Sequence, residues 1–375
     1  MKILFVLGAR SEFGYVVPVY REAERRGHEV AIWSCNTASL AGFGDVARKA
    51  KESGLNVRQI ATTAFDGYTH VAMAKSVGAV TQSFADFLGT EEFDWVVLSG
   101  DRAEQLGAAI ASSYTYVPTA HIQAGERSGN IDGLARHAIA RLVHLHLAAN
   151  ADAQERLLRS GEEDWRVVMS GAPQLDGFVE SAASMDELIE RRLVPRSEFI
   201  LAVFHPDTAR SDYGVEDLRN LVSVLSRGSE PVVWIAPNND AGALDVREIV
   251  LGGLRAQDLF HENVSRSEYA GILKRCRFLV GNSSSGLIEA PSFSKVAVNI
   301  GRRQDARFRG VNVIDVEADP AAIEQAFADT ERVRQELDRS GVEHPYGDGR
   351  SSSVIVDALE ELRRHPDLLR KQLTF

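Results

Sequence analysis

Short apolar runs alternate with amphipathic stretches along the whole chain, the pattern of strand–helix units that feed parallel sheets. A first series of strands is predicted at residues 3–7, 30–34, 57–61, 95–98, 119–122, 145–148 and 166–169, with helical periodicity at 16–26, 71–88, 103–113 and 134–143. The series then restarts. Strands are predicted at 199–204, 232–236, 259–261, 278–280 and 296–300, with helices at 216–226, 245–254, 268–274 and 286–291. Two similar α/β halves follow from this, joined near 173–195, where a charged helical stretch at 185–192 separates the two series. Longer helical patterns at 320–340 and 352–369 close the chain, and the last could pack on either half. The expected domains are residues 1–175, residues 176–350 and a C-terminal helix at 351–375.

At 375 residues the chain is long enough to bury two cores. With 44% hydrophobic and 25% charged residues and no low-complexity tract, it has the composition of a globular protein without disordered segments. The formal charge of −11 argues against a nucleic-acid partner or an anionic membrane surface, although a few arginines suffice for a small anion. Cys35 and Cys276 stand alone, outside any metal-ligand spacing, and read as buried free thiols. The N-terminal apolar run is too short for a signal peptide, and no segment reaches the ~20 residues of a membrane span, so a cytoplasmic location is expected.

In open parallel sheets ligands bind beyond the carboxyl ends of strands, which gives weight to five polar clusters. Gly8-Ala9-Arg10-Ser11-Glu12-Phe13-Gly14 is a glycine-bounded turn into a helix, suited to an anion with Arg10 as a bidentate partner, or merely a turn. It is not GxGxxG, and no GxxxxGK[ST] occurs in the chain. Asp101 and Arg102 end a buried-strand pattern, and Asp101 is either a helix N-cap or a catalytic or sugar-binding carboxylate. From His121 to His137 the chain packs Gln123, Glu126, Asp132 and Arg136 behind a strand; Asp132 and Arg136, four apart, form a surface ion pair or part of a site. His144 and His146 share one side of a strand but lack a third metal ligand. His205 follows the first strand of the second half, as a structural histidine or as a diphosphate or acid group. Last, Asn282-Ser283-Ser284-Ser285-Gly286 forms a small-residue loop with Glu289 beyond it, a set able to hold a phosphate and accept from both hydroxyls of a ribose.

These clusters, with Met73-Ala74-Lys75-Ser76-Val77-Gly78 and Tyr346-Gly347-Asp348-Gly349, resemble the hydrolysing UDP-N-acetylglucosamine 2-epimerases, which open sialic acid and related nonulosonic acid pathways. The likeness runs over nearly the whole length. It implies the GT-B architecture: two Rossmann-like doubly wound domains facing across a cleft, with UDP held mainly by the C-terminal one. By the same resemblance Arg10, Ser283 and Ser284 meet the diphosphate, with Ser285 and Gly286 in the same loop, His205 is a diphosphate ligand or a catalytic acid, and Glu289 meets the ribose. Asp101, Arg102, Glu126, Asp132 and Arg136 fall on the sugar side. One position departs from the pattern. Where the family usually reads His-Ile-Glu-Gly-Gly-Glu, or has histidine for the first glutamate, this chain has His121-Ile122-Gln123-Ala124-Gly125-Glu126, and an amide cannot carry a proton at neutral pH.

The implied reaction loses UDP from C1 and a proton from C2 to give a 2-acetamidoglucal, to which water adds with C2 inverted, releasing a manno sugar such as N-acetylmannosamine. No carbonyl acidifies that proton, so the transition state has oxocarbenium character and calls for carboxylates at the ring and cations at the diphosphate. Neither metal nor cofactor is required. A homodimer or homotetramer is the expected assembly. The rivals are a non-hydrolysing epimerase, whose Pro-Glu-Glu motif is absent here, a GT-B glycosyltransferase, and a UDP-sugar-binding protein with altered chemistry because of Gln123.

Overall fold

The computed structural model describes residues 1–39, 45–65, 70–127, 131–237, 240–342 and 344–374; the side chains of Arg10, His70, Ile131 and Asp132 lie outside that description. Two α/β units emerge, one of residues 1–127, 131–176 and 346–375, the other chiefly of 177–345. Each is built on a fully parallel sheet, as the strand–helix alternation predicts.

The first unit contains β1 (Lys2–Leu7), α1 (Phe13–Arg25), β2 (Glu29–Ser34), α2 (Val46–Glu52), β3 (Val57–Ile60), α3 (His70–Leu88), β4 (Trp95–Ser99), α4 (Ala103–Tyr114), β5 (Thr119–Ala124), α5 (Ile131–Leu142), β6 (Leu145–Ala148), α6 (Ala151–Arg159) and β7 (Val167–Met169). Its strands lie in the order β3-β2-β1-β4-β5-β6-β7. The second unit contains α7 (Met185–Glu190), β8 (Ile200–Val203), α8 (Val215–Arg227), β9 (Val232–Ile235), α9 (Ala243–Gly252), β10 (Leu259–His261), α10 (Arg266–Arg275), β11 (Leu279–Gly281), α11 (Ser285–Ile288), β12 (Ala297–Ile300), β13 (Val313–Val316) and α12 (Pro320–Ser340), with sheet order β10-β9-β8-β11-β12-β13. Both orders reverse once, between β1 and β4 and between β8 and β11. These reversals leave the crevices in which doubly wound sheets bind ligands.

Helix α13 (Ser351–Leu362) returns to the first unit. Its Ile355, Val356, Leu359 and Leu362 join the core formed by Phe5, Val19, Tyr20 and Trp95, and the Trp95 indole donates to the Leu359 carbonyl at 3.0 Å. Burial of each such aliphatic side chain contributes roughly 1.5–3 kcal/mol, so the helix is part of this fold rather than an appendage. Beyond it, Lys371 donates to the Ala140 and Val143 carbonyls at the end of α5 and pairs at 2.8 Å with Glu162. Glu162 is buried and also takes Arg141 and His146. Burial alone would raise its pKa, but His146 and Lys371 outweigh that and hold it at about 2. His144, in turn, accepts from the Thr119 N–H through Nδ1 at 3.1 Å. His144, just before β6, and His146, within it, therefore both have structural partners.

Several elements differ from the sequence expectation. The helix predicted at 286–291 is the single turn α11, followed by a 3₁₀ turn at Ala290–Phe293, because Pro291 cannot supply the N–H that would continue an α-helix. The pattern at 352–369 stops at Leu362, ahead of Pro366. Short α2 and α6 and half-exposed β13 escaped notice, since α6 buries only Ala153 and Leu157, too few positions to form a visible stripe. Cys35 and Cys276 are buried free thiols. Among the described residues no helix is long and apolar enough to cross a membrane.

Candidate active site

The predicted residues collect where the two sheet orders reverse. In the first unit, Gly8 follows β1 and Asp101 follows β4; in the second, His205 follows β8 and Asn282 follows β11.

In the first unit the centre is Arg136, whose side chain is only 1% exposed despite its charge. Its Nη1 donates to the Gln123 carbonyl at 2.6 Å and faces Glu126 at 3.4 Å, while Nη2 is hydrogen-bonded to the Asp101 carboxylate. Glu126 also accepts from Asn150 Nδ2 at 3.0 Å. A buried guanidinium is tolerable only with such partners, and it offsets two carboxylates that would otherwise repel. Among the described residues Arg136 pairs with Asp101 and Glu126, inside the unit; the expected pair with Asp132 lies outside the described residues. Asp132 lies in the first turn of α5, its side chain outside the described part, as are Ser128 and Gly129.

Backbone geometry aims this cluster. Gln123 interrupts the pairing of β5 with β6, because Ile122 opposes Leu147 and Ala124 opposes Ala148, and its φ is +58°. Such a bulge turns a side chain out of the regular alternation and is common beside active sites. The re-aimed amide donates to Gln174 Oε1 at 3.4 Å. Gly125 follows at φ +77°, where a Cβ would stand 2.5 Å from the Ala153 carbonyl. Asp101 is held from the other side, since His121 Nε2 contacts the Gly100 carbonyl at 2.6 Å. Burial pushes His121 down to about pKa 3, so the ring is neutral and its Nε2 carries the proton donated to that carbonyl.

The turn after β1 differs from expectation. Its Gly8 and Ala9 N–H groups donate to the Glu12 carboxyl at 2.6 and 3.2 Å, so the cradle read as an anion site already holds the chain's own acid. Beside it Glu104 accepts from Arg102 Nε and Asn36 Nδ2, both at 2.9 Å. Burial first, and the neighbouring Glu104 second, raise the Glu12 pKa. Arg102 is thus oriented by Glu104. Arg10 belongs to the same turn, its side chain outside the described part.

In the second unit, His205 and Asn282 are locked together: Asn282 Oδ1 accepts from the His205 N–H at 2.7 Å, and its Nδ2 donates to the His205 carbonyl at 2.8 Å. Gly281 makes this approach possible, since a Cβ there would lie 2.0 Å from the Val203 carbonyl. Arg303 and Gln304 brace the Asn282 carbonyl at 3.1 and 2.8 Å. The serine loop is more committed than its sequence suggests. The Gly286 N–H bonds to the Ser283 carbonyl at 3.2 Å and the Ser285 N–H to Ser283 Oγ at 3.3 Å. Ser285 Oγ accepts from Tyr269 at 2.5 Å. Glu289 stands one helical turn beyond Ser285, with Oε2 buried and without a hydrogen-bond partner; burial raises its pKa to about 7. Asn36, Asn150, Gln174, Tyr269 and Gln304 were not singled out from sequence, and no short motif marks them.

Two parallel α/β units, one with carboxylates gathered around a buried arginine and one with a serine loop and a buried glutamate beyond its switch point, have the layout of nucleotide-binding doubly wound enzymes. The family model of UDP-N-acetylglucosamine 2-epimerases matches residues 23–360, and the chain belongs to that family. It is 30% identical over 380 residues, 99% of this chain and 98% of the relative, to the hydrolysing UDP-N,N'-diacetylbacillosamine 2-epimerase of Legionella pneumophila. A hydrolysing GDP/UDP-N,N'-diacetylbacillosamine 2-epimerase of Campylobacter jejuni is 29% identical over 68% of each chain. In fold the chain is similar to the UDP-GlcNAc 2-epimerase of Neisseria meningitidis solved with UDP-GlcNAc, with a TM-score of 0.80 at 18% identity, covering 96% of this chain and 100% of that one.

Proposed function

We propose that the chain is a hydrolysing UDP-sugar 2-epimerase acting on a 2-acetamido sugar, with a diacetamido-trideoxy sugar preferred over N-acetylglucosamine. The observation that carries the chemistry is the Asp101–Arg136–Glu126 cluster beside the first switch point, with Arg136 and Glu126 buried and Asp101 partly exposed. The sugar preference is supported by the two diacetylbacillosamine relatives, one alignable over nearly the full length.

In this reading the C1–O bond breaks with its electron pair leaving on UDP, and a carboxylate takes the C2 proton to give the glycal. Water oxygen then bonds to C1 while a proton reaches C2 from the other face, so the free sugar emerges inverted at C2. Asp101, with Glu126 and Asp132, serves the ring and its proton; Arg136 and Arg102 hold carboxylates and substrate oxygens in place. His205 and Arg10 balance the diphosphate, and the Ser283–Ser284 loop and Glu289 take the nucleotide. The protein works in the cytoplasm as a homo-oligomer.

A panel of UDP-sugars followed by NMR tests this. Stoichiometric UDP with a free manno-configured sugar is expected, fastest with the diacetamido substrate; a mixture of intact UDP-sugars without UDP release would point to the non-hydrolysing reaction.

Gln123 gives a second check. Restoring an acid by Gln123→Glu would add a carboxylate at the end of a strand where Arg136 already serves Asp101 and Glu126, and would replace the amide pair with Gln174. Turnover is expected to fall about tenfold, in line with a like-charge penalty of one to two kcal/mol. A rise in kcat would show that the amide had merely weakened a proton relay.

A further inference from the structure

Glu289 is tied to α10 through Ser285. Tyr269, the fourth residue of α10, donates its phenol proton to Ser285 Oγ at 2.5 Å, and the Glu289 N–H bonds to the Ser285 carbonyl at 3.0 Å. Ser285 and Glu289 are thus one turn apart on the same face, the spacing at which a hydroxyl and a carboxylate on one helical turn are neighbours. A hydroxyl has one proton. Since Ser285 accepts from Tyr269, its own proton is free to turn to the carboxylate, an acceptor when ionised, and the chain Tyr269 to Ser285 to Glu289 runs one way. The serine hydroxyl is then committed to holding the carboxylate, not to a phosphate.

We propose that Tyr269 is a positioning residue for Glu289: by fixing the direction of the Ser285 hydroxyl it holds the carboxylate in the orientation that accepts from the ribose hydroxyls, and so sets discrimination between ribo- and deoxyribonucleotides. This rests on Glu289 as the ribose ligand. Burial first, and the nearby Glu289 charge second, raise the Tyr269 pKa, so the phenol stays protonated and remains a donor throughout the working range. The capping box of Ser265 and Glu268 fixes the start of α10 and hence where the phenol stands.

The test is calorimetric binding of UDP and 2'-deoxy-UDP to the full chain and its variants. Wild type is expected to prefer UDP by roughly tenfold or more, the value of a hydrogen bond to a charged acceptor. Tyr269→Phe, which keeps the ring, should reduce that ratio several-fold by weakening UDP while leaving 2'-deoxy-UDP within about twofold. Ser285→Ala should do the same, and the double variant should be no worse than either single, because both break one relay. An unchanged ratio in Tyr269→Phe, or equal weakening of both nucleotides, overturns the positioning role. Glu289→Gln separates the two ideas: if it leaves the ratio intact, Glu289 is not the ribose ligand and the proposal falls with it. If it collapses the ratio while both relay variants are silent, only the role of Tyr269 fails.

Discussion

Replacing Arg136 with methionine is expected to destabilise the protein by about 3–5 kcal/mol and to abolish turnover. The figure follows from breaking a buried ion cluster on one side only, which leaves charges without compensation. Arg136 is 1% exposed, and Glu126, which it faces, is 3% exposed. Without the guanidinium, Glu126 retains Asn150, while Asp101 loses its ion pair and the Gln123 carbonyl loses a donor at 2.6 Å. Arg136→Lys should recover part of the stability, since an ammonium keeps the charge but cannot span Asp101, Glu126 and a carbonyl as a planar fork does. Urea unfolding of both variants at pH 7 measures the two effects. A methionine variant as stable as wild type at pH 7 would mean that the carboxylates are not held by this arginine.

The same cluster shows what sequence reading could and could not reach. Asp101, Glu126 and Arg136 were visible as ionisable residues behind continuous apolar strands, because the end of a buried run is where polar groups become tolerable. The nature of their association was not visible: Asp101 and Arg136 lie 35 positions apart, and no local spacing links them. Similar reasoning explains the turn after β1. Its glycines announced exposed N–H groups, but only the fold shows that Glu12, four residues on, turns back to take them. Gln123 was marked by its departure from a family pattern, while its bulge came from a pairing register that depends on β6, more than twenty residues away. Tyr269 and Gln174 carry no motif, and only tertiary packing brings them to Ser285 and Gln123.

Asp101→Asn is expected to lower kcat by about three orders of magnitude while leaving affinity for UDP within about twofold. Loss of a positioned acid or base costs ~10²–10⁴ in rate, and loss of the charge that steadies an oxocarbenium-like ring adds to it. The fall would be chemical rather than positional. His121 fixes the Gly100 carbonyl, Gly100 turns at φ +77°, and an asparagine Oδ1 can still accept from Arg136, so the side chain keeps its place. Under the proposed function the nucleotide is held by the Ser283–Ser284 loop, Glu289, His205 and Arg10, none of which this substitution changes. Single-turnover UDP release and calorimetry with UDP measure the two quantities separately. Parallel loss of both would make Asp101 a binding or folding residue, and a rate loss below tenfold would move the acid–base role to Glu126 or Asp132.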